Sequence, residues 1–222
     1  VAHLTLSTAN KSAKIGVMSG IHGRTLSVGF DSWQLTVKGD VLMKRKILYV
    51  IVGSGTGGAS TQLVALVHGL RKRGWDASVV CMLNPGGVLL SLARDHVPLM
   101  SLGMKKGIPD PRAVLRFAAI VRREEPQIVH SHGVLANLLS RVTRLLAPMP
   151  VLVNTAHSIQ EGGRARELGY RLTNFLCDVT TQVSQAGMKR YINIGVVSSD
   201  RIRYIPNGIN TDVFRPRPEL KR

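Results

Sequence analysis

Apolar and polar residues follow two different rhythms along most of this chain, and the switches between them mark its elements. From Ile47 to Val52 every residue is apolar, as in a strand buried on both faces. Leu63, Leu66, Val67 and Leu70 then recur at helical spacing and predict a helix over about 60–73. Arg71, Lys72 and Arg73 suit its negative end, and Gly74 suits the residue that leaves it. Ala77 to Leu83 reads as a second buried strand, Val88 to Asp95 as a short helix, and Pro98 to Leu102 as a brief strand. Asp110 and Pro111 suit a helix start, a cap followed by a first-turn proline, with Val114, Phe117, Ala118 and Val121 facing inward. Ile128 to Ser131 is the next strand. Leu135, Leu138, Leu139, Val142, Leu145 and Leu146 stripe a further helix, which Pro148 ends. Val151 to Thr155, Val179 to Val183 and Ile202 to Ile205 complete the strands, with helices near 164–176 and 185–192 between them. Each parallel strand needs a crossover, so this alternation predicts an α/β fold: a doubly wound parallel sheet with helices on both faces. Ligands of such sheets gather at the carboxyl ends of the strands.

Residues 1–42 lack either rhythm, and their only acidic residues are Asp31 and Asp40. They read as a disordered leader or as upstream sequence, with no secretory signal, since no compact apolar segment follows a basic start. Met43-Lys44-Arg45-Lys46 followed by the apolar run looks like the natural beginning of an α/β protein. The expected organisation is therefore a leader over 1–42, one domain over 43–216 and the start of a linker over 217–222.

Composition narrows the partner without choosing it. Thirty Lys and Arg oppose 13 Asp and Glu, a formal charge of +17 with a pI near 10.9, and residues 43–222 alone hold 26 basic against 11 acidic residues. Nucleic acid, an anionic membrane face and phosphate-bearing small molecules all suit that charge. Ten aromatics offer few stacking platforms, and neither a zinc-finger nor a recognition-helix pattern is present, so a nucleic-acid module has little beyond charge to support it. Cys81 and Cys177 sit in apolar stretches and read as two buried thiols in a reducing, cytoplasmic setting. No apolar run approaches the roughly 18 residues of a membrane-spanning helix.

Gly53-Ser54-Gly55-Thr56-Gly57-Gly58 satisfies G-x-G-x-x-G between the first strand and first helix of this domain, where backbone N–H groups can meet a pyrophosphate. A dinucleotide site also wants Asp or Glu at the end of the second strand, which here closes in Met82-Leu83-Asn84, while Asp76 precedes that strand. An anion-binding turn therefore fits better than an NAD(P)-dependent oxidoreductase, and a tight turn with no ligand is the other open reading. His130 and His132 flank Ser131 on one side of a strand that is ending, and His157 ends the next strand. The three could converge on one crevice, either as ligands of a metal or as side chains bonding nearby backbone; no carboxylate near either strand end supports the metal. No nucleophile elbow, Cys-His pair or P-loop is present.

Arg203 to Pro216 reads Arg-Tyr-Ile-Pro-Asn-Gly-Ile-Asn-Thr-Asp-Val-Phe-Arg-Pro: a strand, a turn at Pro206-Asn207-Gly208, then a segment pinned by Phe214. This resembles the "IPNGID…F.P" segment that closes the amino-terminal domain of glycosyltransferase family 4, enzymes of the GT-B fold. Gly57-Gly58-Ala59 is similar to that family's "GGA" loop, His130-Ser131-His132-Gly133 to its "HxHG", Thr155-Ala156-His157 to its "TxH" and Val183-Ser184 to its "VS". Gln127, Ser60 and Asn210 depart from its usual Asp, Glu and Asp. The resemblance implies transfer of a sugar, with retention, from a nucleotide-diphosphate donor to a glycan or polyprenyl-linked acceptor, with no cofactor. It implies that Gly57 and Gly58 meet the donor diphosphate and that His157, as the catalytic residue, lies by the transferred sugar. His132, His130 and Asn207 would line the crevice. It further implies a second domain after Pro216, with a basic pair and an E-x7-E motif, without which the chain would be inactive. The basic surface would then draw the domain to an anionic membrane face bearing lipid-pyrophosphate acceptors.

Overall fold

Valine, isoleucine and leucine on both sides of a strand leave it no solvent face, and the run after Arg45 accordingly becomes the central strand of a sheet. The structure, a computed structural model, describes residues 4–7, 34–37, 45–53, 55, 57–160, 162–209 and 211. The chain divides into two units, Val1–Lys44 and Arg45–Arg222. In the first, β1 (Leu4–Ser7) pairs antiparallel with β2 (Gln34–Val37). These strands lie inside the stretch expected as a leader; Met43, Phe214, Pro216 and 217–222 lie outside the described residues.

The second unit holds β3 (Lys46–Ile51), α1 (Gly58–Arg71), β4 (Asp76–Cys81), a 3-10 turn leading into α2 (Leu90–Arg94), β5 (Leu99–Ser101), α3 (Arg112–Glu124) and β6 (Ile128–His132). There follow α4 (Val134–Thr143), β7 (Val151–Ala156), α5 (Arg164–Thr173), β8 (Val179–Gln182), α6 (Gln185–Asn193) and β9 (Ile202–Tyr204). Seven parallel strands lie in the order β5-β4-β3-β6-β7-β8-β9. Crossovers are right-handed, so the chain covers one face while it winds outward from β3 to β5 and the other once it returns to β6. The packing agrees. Tyr49, Ile51, Val79 and Cys81 meet Leu63, Val67 and Leu92 of α1 and α2 on one side. Leu48, Val50, Val80 and Val129 meet Phe117, Val121 and Leu139 of α3 and α4 on the other. Ala156 and Ile202 pack with Tyr170 of α5 and Tyr191 of α6. This is the doubly wound α/β sheet the alternation predicts.

Helix starts and most helix ends follow their sequence signals within two residues, but α4 stops at Thr143, short of Leu145, Leu146 and the Pro148 expected to end it. The chain leaves α1 through Gly74, where the Trp75 N–H reaches the Leu70 carbonyl at 3.1 Å and the Gly74 N–H that of Arg71 at 3.0 Å. Asp110 Oδ1 accepts from the Arg112 N–H at 3.0 Å ahead of α3. Cys81 and Cys177 are buried free thiols. No helix among the described residues is long and apolar enough to cross a membrane.

One stripe departs from its expected role. Leu135, Val142, Leu145 and Leu146 are between 40% and 65% exposed, whereas the buried residues of α4 are Ala136, Asn137, Leu139, Ser140, Arg141 and Thr143. Hydropathy ranks leucine above asparagine and arginine, but here the sheet beneath presents Ser131 and Asn154, and polar side chains on α4 can satisfy them.

Candidate active site

The chain reverses its winding between β3 and β6, so the loops leaving these neighbouring strands diverge and a crevice opens beyond their carboxyl ends. The glycine turn leaves β3 and the histidines end β6 and β7, so the topology places both at that crevice. Gly53 begins the turn at φ +97°, where a Cβ would stand 2.7 Å from Cys81 Cβ, so both backbone angle and space exclude any larger residue. Gly57 caps α1 in an extended conformation and Gly58 is its first residue; a Cβ on either would meet nothing within 4 Å. Among the described residues, packing requires neither glycine. Among the described residues no side chain caps α1 and no acid lies in its first turn, so none of them neutralises its positive end. Ser54 and Thr56 lie outside the described residues. As the sequence indicates, β4 closes at Cys81 without an acid at its carboxyl end, and Asp76 sits at the opposite end.

In the parallel register Tyr49 lies beside His130, and Ile51, His132 and Thr155 form the next row. A period of two puts His130 and His132 on one face, with ring centroids 4.3 Å apart. Tyr49 packs against both rings at 5.4 and 5.8 Å. His130 Nε2 lies 2.7 Å from Thr155 Oγ1, which lies 2.7 Å from Thr181 Oγ1 on β8. Past the strand end, His132 Nδ1 lies 3.0 Å from His157 Nε2, the two rings stacked at 5.2 Å. Gly133 turns the chain away into α4 at φ +87°, an angle glycine adopts without the strain a larger residue would carry.

Burial governs the charge of this group. It pulls the His157 pKa down to about 4, and that of His130 to about 3, with repulsion from His157 adding to the effect. His132 is held well below the usual histidine value by burial and then by its two neighbours. All three are neutral near pH 7 and act there as hydrogen-bonding groups. Among the described residues no three His, Cys, Asp or Glu side chains are arranged to hold a metal ion.

The structure thus brings His130, His132 and His157 together and sets Gly57 and Gly58 on the neighbouring loop. Asn207 stands apart, exposed beyond β9, two strands past β7 and so roughly 10 Å to the side at the usual strand spacing.

On the opposite face of β6 and β7 lies a support that sequence reasoning missed. Asn137 Oδ1 accepts from Ser131 Oγ at 2.7 Å, and Asn154 Nδ2 donates to the same Ser131 Oγ at 2.7 Å. Asn137 Nδ2 donates to the Thr155 carbonyl at 3.1 Å and to Tyr170 Oη at 2.6 Å. Arg141 is fully buried, donates to Asn154 Oδ1 at 2.6 Å and Thr180 Oγ1 at 3.2 Å, and holds its guanidinium 4.4 Å from the centre of the Tyr170 ring. No carboxylate pairs with it among the described residues. Tyr49 and Thr155 could have been found, since both fall in register with the histidines; Arg141 carried no such signal.

The chain is similar to known proteins in sequence and in fold. The family model described as Glycosyltransferase Family 4 matches residues 56–213. Among solved structures, HepE of Anabaena in complex with UDP and glucose is 19% identical with a TM-score of 0.65, covering 79% of this chain and 48% of that one. A glycosyltransferase from Rickettsia africae is 19% identical with a TM-score of 0.65, over 79% of this chain and 47% of that one. Sucrose-phosphate synthase from Thermosynechococcus elongatus is 16% identical with a TM-score of 0.58, over 79% and 51%. The chain spans about half the length of these structures. No curated protein matches it.

Proposed function

Because this chain belongs to glycosyltransferase family 4, by the match over residues 56–213, we propose that it is the acceptor-side half of an enzyme moving a sugar from a nucleotide-diphosphate donor to a glycan or polyprenyl-linked acceptor, with retention at the anomeric carbon. The observation that carries the reading is the pairing of an open, uncapped glycine helix start with neutral histidines at the same switch point. Negative charge grows on the leaving diphosphate during transfer, and helix N–H groups at Gly58 and Ala59 are fixed donors aimed at such charge. Gly57 and Gly58 leave room for the diphosphate to approach that backbone. His157 bonds a hydroxyl of the transferred sugar or orients the acceptor, His132 and His130 stand behind it, and Asn207 lines the far side of the crevice.

On this reading the remaining nucleotide contacts come from a second half, supplied in cis or as a separate chain, in a pathway of polysaccharide assembly on the cytoplasmic side of a membrane. The 222-residue chain alone transfers no sugar. The direct test is transfer of labelled sugar from a panel of nucleotide-diphosphate sugars to polyprenyl-phosphate and glycan acceptors, using the 222-residue chain and an extended form joined to a donor-side half from the same family. Transfer is expected in the extended form only, falling at least 100-fold in His157→Ala and in Gly58→Val. Transfer by the 222-residue chain itself would refute the half-enzyme reading, and none by either form would refute the activity.

A further inference from the structure

Beyond β7 the chain passes through His157 and Ser158 into a loop whose path is set from the far face of the sheet. Gln182 ends β8 beside Ala156, the last residue of β7, and alternation turns its side chain to the face opposite that of Thr155 and Thr181. That side chain is fully buried. Its Nε2 donates to the Ser158 carbonyl at 2.8 Å, and its Oε1 accepts from the Ser184 N–H at 3.1 Å. These partners fix which way the amide points, since a backbone carbonyl can only accept and a backbone N–H can only donate. Glutamate would set a second acceptor against the carbonyl, and methionine would offer neither group. The fold makes room for the amide at one further position. Gly187 lies in the first turn of α6, where a Cβ would collide with the Gln182 amide. Alanine is the better helix former, so helix propensity does not call for glycine there, whereas the amide does. Arg190, about one turn further on, donates to the Ile159 carbonyl at 3.4 Å, so two successive carbonyls after His157 are held from β8 and α6.

We infer that Gln182 is a positioning residue for His157: by fixing the carbonyl of Ser158 it sets the direction in which the chain leaves β7 and keeps the His157 ring stacked on His132. It acts from the face opposite the histidines and touches none of them through its two hydrogen bonds. The use of His157 in sugar transfer rests on the glycosyltransferase reading; its placement by Gln182 does not.

Histidine ring signals of the 222-residue chain, followed by NMR from about pH 7.5 to 5.5, test the assignment. Burial holds His157 at about 4 and His130 at about 3, so both should stay almost still over that range in the unsubstituted protein. The titratable groups described around His157 are His130 and His132 of β6, which are neutral there as well. In Gln182→Met and in Gly187→Ala, His157 is expected to reach solvent and titrate within the range, its midpoint at least about one pH unit higher, while His130 stays still. Gly187→Ala is the sharper variant, because it leaves Gln182 chemically intact and only displaces its amide. A His157 that stays still in every folded variant overturns the inference. So does a His130 that titrates along with it, the sign of a sheet loosened throughout. Loss of the fold in both variants would show that Gln182 serves the fold as a whole, and would overturn the inference equally. None of these results bears on sugar transfer by the extended form, and an absence of transfer would leave the placement of His157 standing.

Discussion

Three neutral histidines in one buried group make the fold sensitive to mild acid. In the unfolded chain each titrates near its ordinary value of about 6.5, whereas in the folded protein burial moves His130 down to about 3 and His157 to about 4. Below pH 6.5 the unfolded chain therefore binds more protons, and stability falls with pH until the folded values are reached. The slope is at most about 1.4 kcal/mol per pH unit for each histidine that must gain a proton. Thermal melts from pH 7.5 to 5 should show a steadily falling midpoint below pH 6.5, with a shallower fall in His157→Gln; a flat profile would contradict the assigned burial. Glycines separate in the same manner. Gly53→Ala is expected to cost about 3 kcal/mol in urea unfolding, from a left-handed backbone and a Cβ driven into Cys81. Gly58→Ala, with open space around it, should stay within about 0.5 kcal/mol.

At the scale of elements, α4 shows how far the sequence could be read. Strands were legible because parallel strands between two helical layers are apolar throughout, and β3, β4 and β7 stand out as Ile47–Val52, Ala77–Leu83 and Val151–Thr155. Helix ends were legible from Gly74 and Asp110. The orientation of α4 was not, because its buried side is chosen by hydrogen-bond matching with Ser131 and Asn154, which no hydropathy period records. The same limit hid Arg141. The glycine turn and histidines, by contrast, carry their chemistry in residue type and spacing, and only the coupling of His132 to His157 needed coordinates. Arg141→Ala should strand Asn154 and Thr180 and cost at least about 3 kcal/mol, whereas Leu145→Lys on the exposed side should stay within about 0.5 kcal/mol. Equal losses by denaturant unfolding would show that the helix packs the other way round.

At the scale of the Arg45–Arg222 unit, exposed apolar residues and basic ones lie together around α5. Leu168, Leu172 and Phe175 on and just after α5 are 54%, 65% and 70% exposed, and α5 packs beside the exposed leucines of α4 through Gly169 against Leu138. Arg164 and Arg171 accompany them, and among the described residues the nearby acids, Glu167 and Asp178, are already paired with Arg190 and Arg144. Together with the net charge of +17, this suits the peripheral contact with anionic lipid proposed above. In flotation assays the protein should rise with vesicles containing anionic lipid and not with neutral ones, and Leu172→Asp with Phe175→Asp should lower recovery several-fold. Equal recovery from both vesicle types would count against the contact.

The reversal of winding at β3 has a kinetic consequence as well. Ile47 pairs with Ile128, about 80 residues further along, so the seam that brings glycine turn and histidines together is the longest closure among the pairings of the sheet. Closing a loop of that length costs on the order of 4 kcal/mol of chain entropy before any contact repays it. The β3–β5 and β6–β9 segments can each pair locally first, and docking of one upon the other is the slow step. The crevice is therefore the last part of the sheet to be assembled and the first to be lost, and a chain caught midway would hold both sets of chemical groups with no site between them.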